Sequence, residues 1–372
     1  LQQNLGETEV ANELKPGNAS LYGANGVLSR FIKPALLSGT GFADTFRSFP
    51  SSHRTSMHSQ PQFHHADNAL LEIAQSLRSS GYQFITTTPA THARVNGRPQ
   101  NHWARNIEEV LGWSRLFKPD VIAPQIWELL CAANVVVAHE DGYRCTVRLS
   151  SLESHLFWHS AYPTVESDAV FFGPDTYRYA RAIQGHLDEH KGPIYRAADI
   201  GCGAGPGAIL LAAAHPQSSV LGIDINDSAL RLTRINAALA GANNVEVRNS
   251  NLLSDVTGEF DLLVANPPYL VDPNERAYRH GGGPLGAGLS LDIVKAALDR
   301  LVPGGTLLLY TGVAIVHGTD PLRRAVEALV QKIDTSWSYS EVDPDVFGEE
   351  LSGGAYADTD RIAAVVLTLT KP

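Results

Sequence analysis

From about residue 165 to the end of the chain, short apolar runs alternate with stretches whose apolar residues recur at helical spacing. YRAADIG reads as a strand and PGAILLAAAH as a helix; VLGIDI as a strand and SALRLTRINAALAG as a helix. FDLLVANPPY is a strand running into a loop, followed by the helical LSLDIVKAALDRLV. GTLLLYTG, PLRRAVEALVQKI and RIAAVVLTLTK complete the series as strand, helix and strand. This alternation predicts an α/β fold with a mostly parallel sheet covered on both faces. Such sheets bind ligands beyond the carboxyl ends of their strands.

The pattern before residue 165 differs. Residues 67–160 predict a smaller helical domain ending in strands, winged-helix-like in its order. DNALLEIAQSLRSSG is helical up to Gly81, with Asp67 as its cap; ARNIEEVLGWSRLF and PQIWELLCAANV also read as helices. VVVAHEDGYRCTVRLS reads as a hairpin about Glu-Asp-Gly. Residues 1–66 form a leader whose Ser-, His-, Gln- and Pro-rich end predicts partial disorder. His53, His58, His64 and His65 share no helix face and no cysteine partner, so they are not read as a metal site.

Composition narrows the class. Hydrophobic residues make up 44% and charged residues 18% of the 372, an ordinary globular balance. No run approaches the roughly 18 apolar residues of a membrane span. The polar, acidic start does not resemble a secretory signal, and its Leu1 is read as a processed or trimmed end. Cys131, Cys145 and Cys202 lack metal-ligand spacing, and an odd count argues against a disulfide framework, which points to a reduced, cytoplasmic protein. A net charge of −10 argues against a nucleic-acid partner. The oligomeric state is not legible.

The chemistry concentrates in two places. Asp199-Ile-Gly201-Cys-Gly203-Ala-Gly205 follows a strand and opens a helix, the setting of a nucleotide-binding loop. Asp224 ends the next strand, where a ribose-binding carboxylate belongs. DIGCGAGPG and LGIDIN resemble the first two motifs of class I S-adenosylmethionine-dependent methyltransferases. The resemblance implies that cofactor: Asp199, Gly201, Gly203 and Gly205 around its methionine and ribose, Asp224 and Ile225 at the ribose, and Asn251 and Leu252 at the adenine.

The second place is Asn266-Pro267-Pro268-Tyr269, directly after the strand FDLLVA. Two prolines fix the backbone and remove two donors. An asparagine oxygen, the Pro267 carbonyl and a tyrosine face suit a planar group carrying N–H. This tetrapeptide resembles that of the glutamine-N5 methyltransferases and of amino methyltransferases acting on nucleic-acid bases. Pro174-Asp175-Thr176 stands where the glutamine group carries Pro-x-x-Thr-Glu, with Tyr177 in place of the glutamate, and so adds Thr176 to the cofactor set. The match covers roughly the last 200 residues.

The expectation is a methyltransferase acting on a planar nitrogen of a small molecule or protein amide, with Asn266, Pro267 and Tyr269 as catalytic residues and Asn266 also near the cofactor. The alternatives are a nucleic-acid base N-methyltransferase, or a carboxyl O-methyltransferase if the arginines between Arg94 and Arg115 reach the pocket. An NAD-binding or regulatory module would leave the tetrapeptide without a task. The Arg- and Trp-rich stretch 86–115 is assigned to acceptor recognition, Tyr278, Arg279 and His280 to a lid hinged on Gly281–Gly283, and the acidic segment before the last strand to a solvated loop.

Overall fold

The computed structural model describes residues 63–372 except 140 and 334; the expected leader, with His53 and His58, lies almost wholly outside them. Pro61–Pro372 form one compact unit. The chain runs through helices α1 (His65–Ser79), α2 (Pro89–Asn96), α3 (Ile107–Leu111) and α4 (Pro124–Ala132) into two antiparallel hairpins. The first pairs β1 (Val136–His139) with β2 (Gly142–Cys145), and the second β3 (Val147–Leu152) with β4 (His155–Ser160). Then come α5 (Pro174–Glu189), β5 (Arg196–Ile200), α6 (Pro206–Ala214), β6 (Ser219–Asp224), α7 (Asp227–Ala240), β7 (Val245–Asn249) and β8 (Phe260–Ala265). The last elements are α8 (Gly288–Arg300), β9 (Leu301–Ile315), α9 (Pro321–Val330), β10 (Ser336–Asp343) and β11 (Arg361–Thr370).

Seven strands form one sheet in the order β10-β11-β9-β8-β5-β6-β7. The five from β9 to β7 are parallel; β11 runs antiparallel to both its neighbours. The order reverses at β5, where two crossovers leave in opposite directions and open a crevice above the strand ends. Alternation of side chains along each central strand feeds two cores. Ala197, Val220, Leu262, Val264 and Leu308 pack under α5, α6 and α7 together with the N-terminal helices and second hairpin. Ala198, Leu221, Leu263 and Leu309 pack under α8 and α9. Burial on both faces explains why these strands read as unbroken apolar runs.

The expected elements from β5 onward are present, and two strands escaped the pattern. β7 (VEVRN) and β10 (SWSYSEVD) lie at the two edges of the sheet, where half or more of their residues are polar and partly exposed. In the N-terminal part α1 begins at His65, so Asp67 is not its cap; its carboxylate instead accepts from Arg231 Nε of α7 at 2.6 Å. The helix expected over ARNIEEVLGWSRLF ends at Leu111. A Cβ on Gly112 would meet the Phe84 ring at 2.2 Å, and the Gly112 carbonyl turns out to accept from the buried Arg148 Nε at 2.8 Å. Among the described residues no three His, Cys, Asp or Glu side chains group as a metal site, and no helix is long and apolar enough to cross a membrane.

Candidate functional site

The loop between β5 and α6 turns through three left-handed glycines, Gly201 at φ 71°, Gly203 at 55° and Gly205 at 84°. A side chain at the first two would enter open space, so they are glycine for their backbone angles and not for room. Gly205 differs, since a Cβ there would press on Thr233 at 2.8 Å. Asp199 lies beneath the loop, 1% exposed. Its carboxylate accepts Tyr179 Oη at 2.7 Å and the Ala208 N–H at 3.0 Å, so it braces the turn against α5 and α6. Burial pushes its pKa up to about 6 despite those donors.

Asp224 stands at the end of β6 beside this loop. One oxygen accepts the Gly203 N–H at 2.9 Å and the other the Asn226 N–H at 2.9 Å. Both are fixed and each keeps a lone pair. Burial raises its pKa, against the pull of the Asn226 and Gly203 N–H groups. Ile225, next in sequence, is 58% exposed although apolar and lines the same cavity, which leaves an uncovered apolar surface for a flat ligand. Leu252 also lines it from a left-handed backbone, φ 53°, a conformation uncommon for leucine.

One continuous cavity joins the glycine loop to the end of β8. Thr176, Gly201, Gly203, Asp224, Ile225, Asn251, Leu252, Asn266, Pro267 and Tyr269 all line it; Asp199 and Gly205 do not. Thr176 reaches the cavity from the first turn of α5, where its Oγ1 also accepts the Gly173 N–H at 3.2 Å. Among the described residues no partner within the chain engages the Asn266 side chain, which is half-buried at the mouth of the tetrapeptide. Tyr269 is buried; its Oη donates to Asp175, and its ring stands edge-on to Phe347 with centroids 5.8 Å apart at 76°.

Residues 272–288 shape the remainder. Of the three residues expected in a lid, Tyr278 and Arg279 line the cavity and His280 does not. Gly281, expected as a hinge, lies hard against the tetrapeptide: a Cβ on it would fall 2.7 Å from the Pro268 carbonyl oxygen. The segment before β11 is not the solvated loop expected. Phe347 lines the cavity, Glu350 pairs with Arg279, and the Tyr356 hydroxyl accepts the Val271 N–H at 2.9 Å. The apolar residues Val346, Phe347, Leu351 and Tyr356, interspersed in an otherwise acidic and glycine-rich segment, were the signal of this in the sequence.

The stretch 86–115 contributes nothing to the cavity lining. Arg105 and Arg115 are held by Glu109, at 2.5 and 2.8 Å. His92 is buried against Trp113 and Tyr162, and burial lowers its pKa to about 4.

A carboxylate at the ribose position, an apolar ledge beside it and a glycine turn open to the same cavity fit a nucleoside-bearing cofactor. Comparison with known proteins agrees. Residues 180–314 match the methyltransferase small domain family. A release factor glutamine methyltransferase from Deinococcus radiodurans is 32% identical over 217 residues, covering 55% of this chain and 72% of that protein. The chain belongs to the class I S-adenosylmethionine-dependent methyltransferases of the NPPY type. A ribosomal protein uL3 glutamine methyltransferase from Xanthomonas campestris is 31% identical over 155 residues, covering 39% of this chain and 48% of that one. A ribosomal RNA small subunit methyltransferase C from Serratia proteamaculans is 34% identical over 122 residues, covering 32% and 31%. Against the last two, the chain spans less than half of the relative's length. A solved methyltransferase structure from Pyrococcus furiosus shares 20% identity at a TM-score of 0.36, covering 55% of this chain and 88% of that one. Membership of that family makes S-adenosylmethionine the cofactor of this methyltransferase.

Proposed function

We propose that this methyltransferase methylates the side-chain amide nitrogen of glutamine in a protein. The observation that carries the reading is the unengaged Asn266 side chain, set beside the Pro267 carbonyl at the carboxyl end of β8 and in one cavity with the glycine loop. The cofactor supplies an electrophilic methyl on a sulfonium. The chain's part is to present two acceptors to the two N–H bonds of a flat amide, with the Tyr269 ring against its plane. Fixed acceptors stabilise the positive charge that develops on nitrogen as it attacks. Asp224 and Ile225 would hold the ribose and adenine, with Asn251 and Leu252 on the far side and Thr176 over the glycine loop. The names of the Deinococcus and Xanthomonas relatives support a glutamine acceptor. A carboxylate would meet the same carbonyl oxygens with repulsion, and the arginines of 86–115 that could turn one into place do not line the cavity. Residues 67–160 would bear on acceptor choice from outside the cavity, and the three free cysteines support a reducing compartment such as the cytoplasm.

The test is to incubate the enzyme with methyl-labelled S-adenosylmethionine and purified release factors and ribosomal proteins. Label in protein that survives mild base and appears as N-methylglutamine on digestion is the expected result. Base-labile label would identify a carboxyl ester instead. Label only in ribonuclease-sensitive material would make the enzyme a base methyltransferase, as the name of the Serratia relative suggests.

A further inference from the structure

Asp175 collects three side-chain donors from three elements. Tyr269 Oη of the tetrapeptide donates to its Oδ2, Tyr310 Oη of β9 to its Oδ1 at 2.7 Å, and Arg178 Nη1 of α5 to Oδ1 at 3.0 Å. Arg178 in turn pairs with Asp343 at the end of β10, at 2.6 Å. Asp175 is 4% exposed, and its bonds to the two tyrosines are buried and sheltered from water, while the bond to Arg178 is part-buried. An acid in the first turn of α5 can serve the helix dipole alone. Here Thr176 does the capping and the Asp175 oxygens are committed to the tyrosines.

We propose that Asp175 is a positioning residue for methyl transfer, fixing the plane of the Tyr269 ring against the acceptor nitrogen. This rests on the reading of the tetrapeptide as the acceptor site. A tyrosine ring is oriented by two torsions, and a bond at its hydroxyl pins the far end. One side edge is already set: a Cβ on Gly312 would lie 2.1 Å from Tyr269 Cε2 and 2.3 Å from Cδ2, so the ring lies directly on that backbone. Phe347 closes one edge. Burial and the neighbouring carboxylate hold the Tyr269 hydroxyl well above its ordinary pKa, so it stays neutral and acts through position and its electron-rich face.

The experiment compares Asp175→Asn, Tyr269→Phe and the double variant, using labelled S-adenosylmethionine with the release factor and ribosomal protein pool. S-adenosylhomocysteine calorimetry runs alongside. Each single change is expected to lower kcat about tenfold while homocysteine-cofactor affinity stays within about twofold. Because both changes act on the same Tyr269–Asp175 contact, the double variant is expected to be no slower than the worse single variant. Multiplicative losses would overturn the proposal. A crystal structure of Asp175→Asn with S-adenosylhomocysteine is expected to show the Tyr269 ring turned or spread over two positions; a ring in place would also overturn it. If Asp175→Asn does not fold, Tyr269→Phe breaks the same bond, and its phenyl ring should be displaced from Gly312 in the crystal. Should the wild-type enzyme label nothing in the pool, the glutamine reading fails while the crystal result still decides the role of Asp175.

Discussion

Asn236 of α7 grips the backbone of Trp158 from both sides. Its Oδ1 accepts the Trp158 N–H at 2.8 Å, and its Nδ2 donates to the Trp158 carbonyl at 3.0 Å and to that of Ala204 at 2.8 Å. One fully buried amide thus ties the second hairpin to the glycine loop. Arg231 to Asp67 and Arg78 to the Leu239 carbonyl join α7 to α1 nearby. Asn236→Ala strands three buried backbone groups, each costing roughly 1–3 kcal/mol when unpaired. The expected loss is at least about 2 kcal/mol, read as a lower urea midpoint at unchanged slope. A midpoint equal to wild type would show that water replaces the amide. The same contacts imply that residues 165–372 alone would expose the core shared with α1 and β4, so acceptor recognition is better tested by point variants in the whole chain.

Asp224 has two duties that one substitution separates. It shapes the loop through Gly203 and presents lone pairs toward the cavity. Asp224→Ala removes both, and S-adenosylhomocysteine affinity is expected to fall by about 1–3 kcal/mol, roughly 5- to 150-fold. Asp224→Asn keeps one acceptor and should fall between. Calorimetry giving equal dissociation constants for wild type and Asp224→Ala would remove Asp224 from the cofactor site.

Asp199 makes stability depend on pH in the direction opposite to that of most carboxylates. Its folded pKa is raised to about 6 from an ordinary 3.8, so between those values the folded state binds more protons. Its contribution is therefore complete below about pH 4 and is lost as pH rises through 6. Two pKa units correspond to about 3 kcal/mol. Asp199→Asn cannot titrate. From pH 4.5 to 7.5, which spans most of that range, the wild type is expected to lose stability relative to this variant by about 2 kcal/mol in urea unfolding. A difference between the two proteins that stays constant with pH would mean that Asp199 is ionised throughout.

Where the physics was local, the sequence was readable. The central strands are buried on both faces, so DIGCGAG and FDLLVANPPY stand out as apolar runs ending in turn residues. What the sequence left illegible depended on distant partners. Asp199 has the right position for a ligand contact, but only the fold shows both its oxygens turned to Tyr179 and Ala208. The polar density of 86–115 suggested a binding loop; only the fold shows that two of its arginines, Arg105 and Arg115, are engaged inside the N-terminal part, through Glu109 and Asn96. Phe347 reaches Tyr269 across about 80 residues of chain, and no periodicity encodes such a contact.

Asn266 offers the sharpest separation of binding from chemistry. It lines the cavity near the cofactor side, yet Asp224, Ile225 and Leu252 carry the surface suited to the nucleoside. Its unengaged amide has no structural duty among the described residues, so replacing it should cost little stability. Asn266→Ala is expected to leave the S-adenosylhomocysteine dissociation constant within about threefold of wild type and the urea midpoint nearly unmoved. Turnover should fall by about 10²–10³, the usual loss when one preorganised polar contact to a developing charge is removed. Asn266→Asp adds a negative charge at the same place. It should bind the cofactor at least as well, by attraction to the sulfonium, and still turn over poorly, because the fixed geometry of two neutral acceptors is lost. The measurement is single-turnover transfer of labelled methyl at saturating cofactor, which isolates the chemical step from release. Wild-type rates in Asn266→Ala would take the tetrapeptide out of the mechanism, and a large loss of cofactor affinity would move Asn266 from the acceptor to the cofactor side.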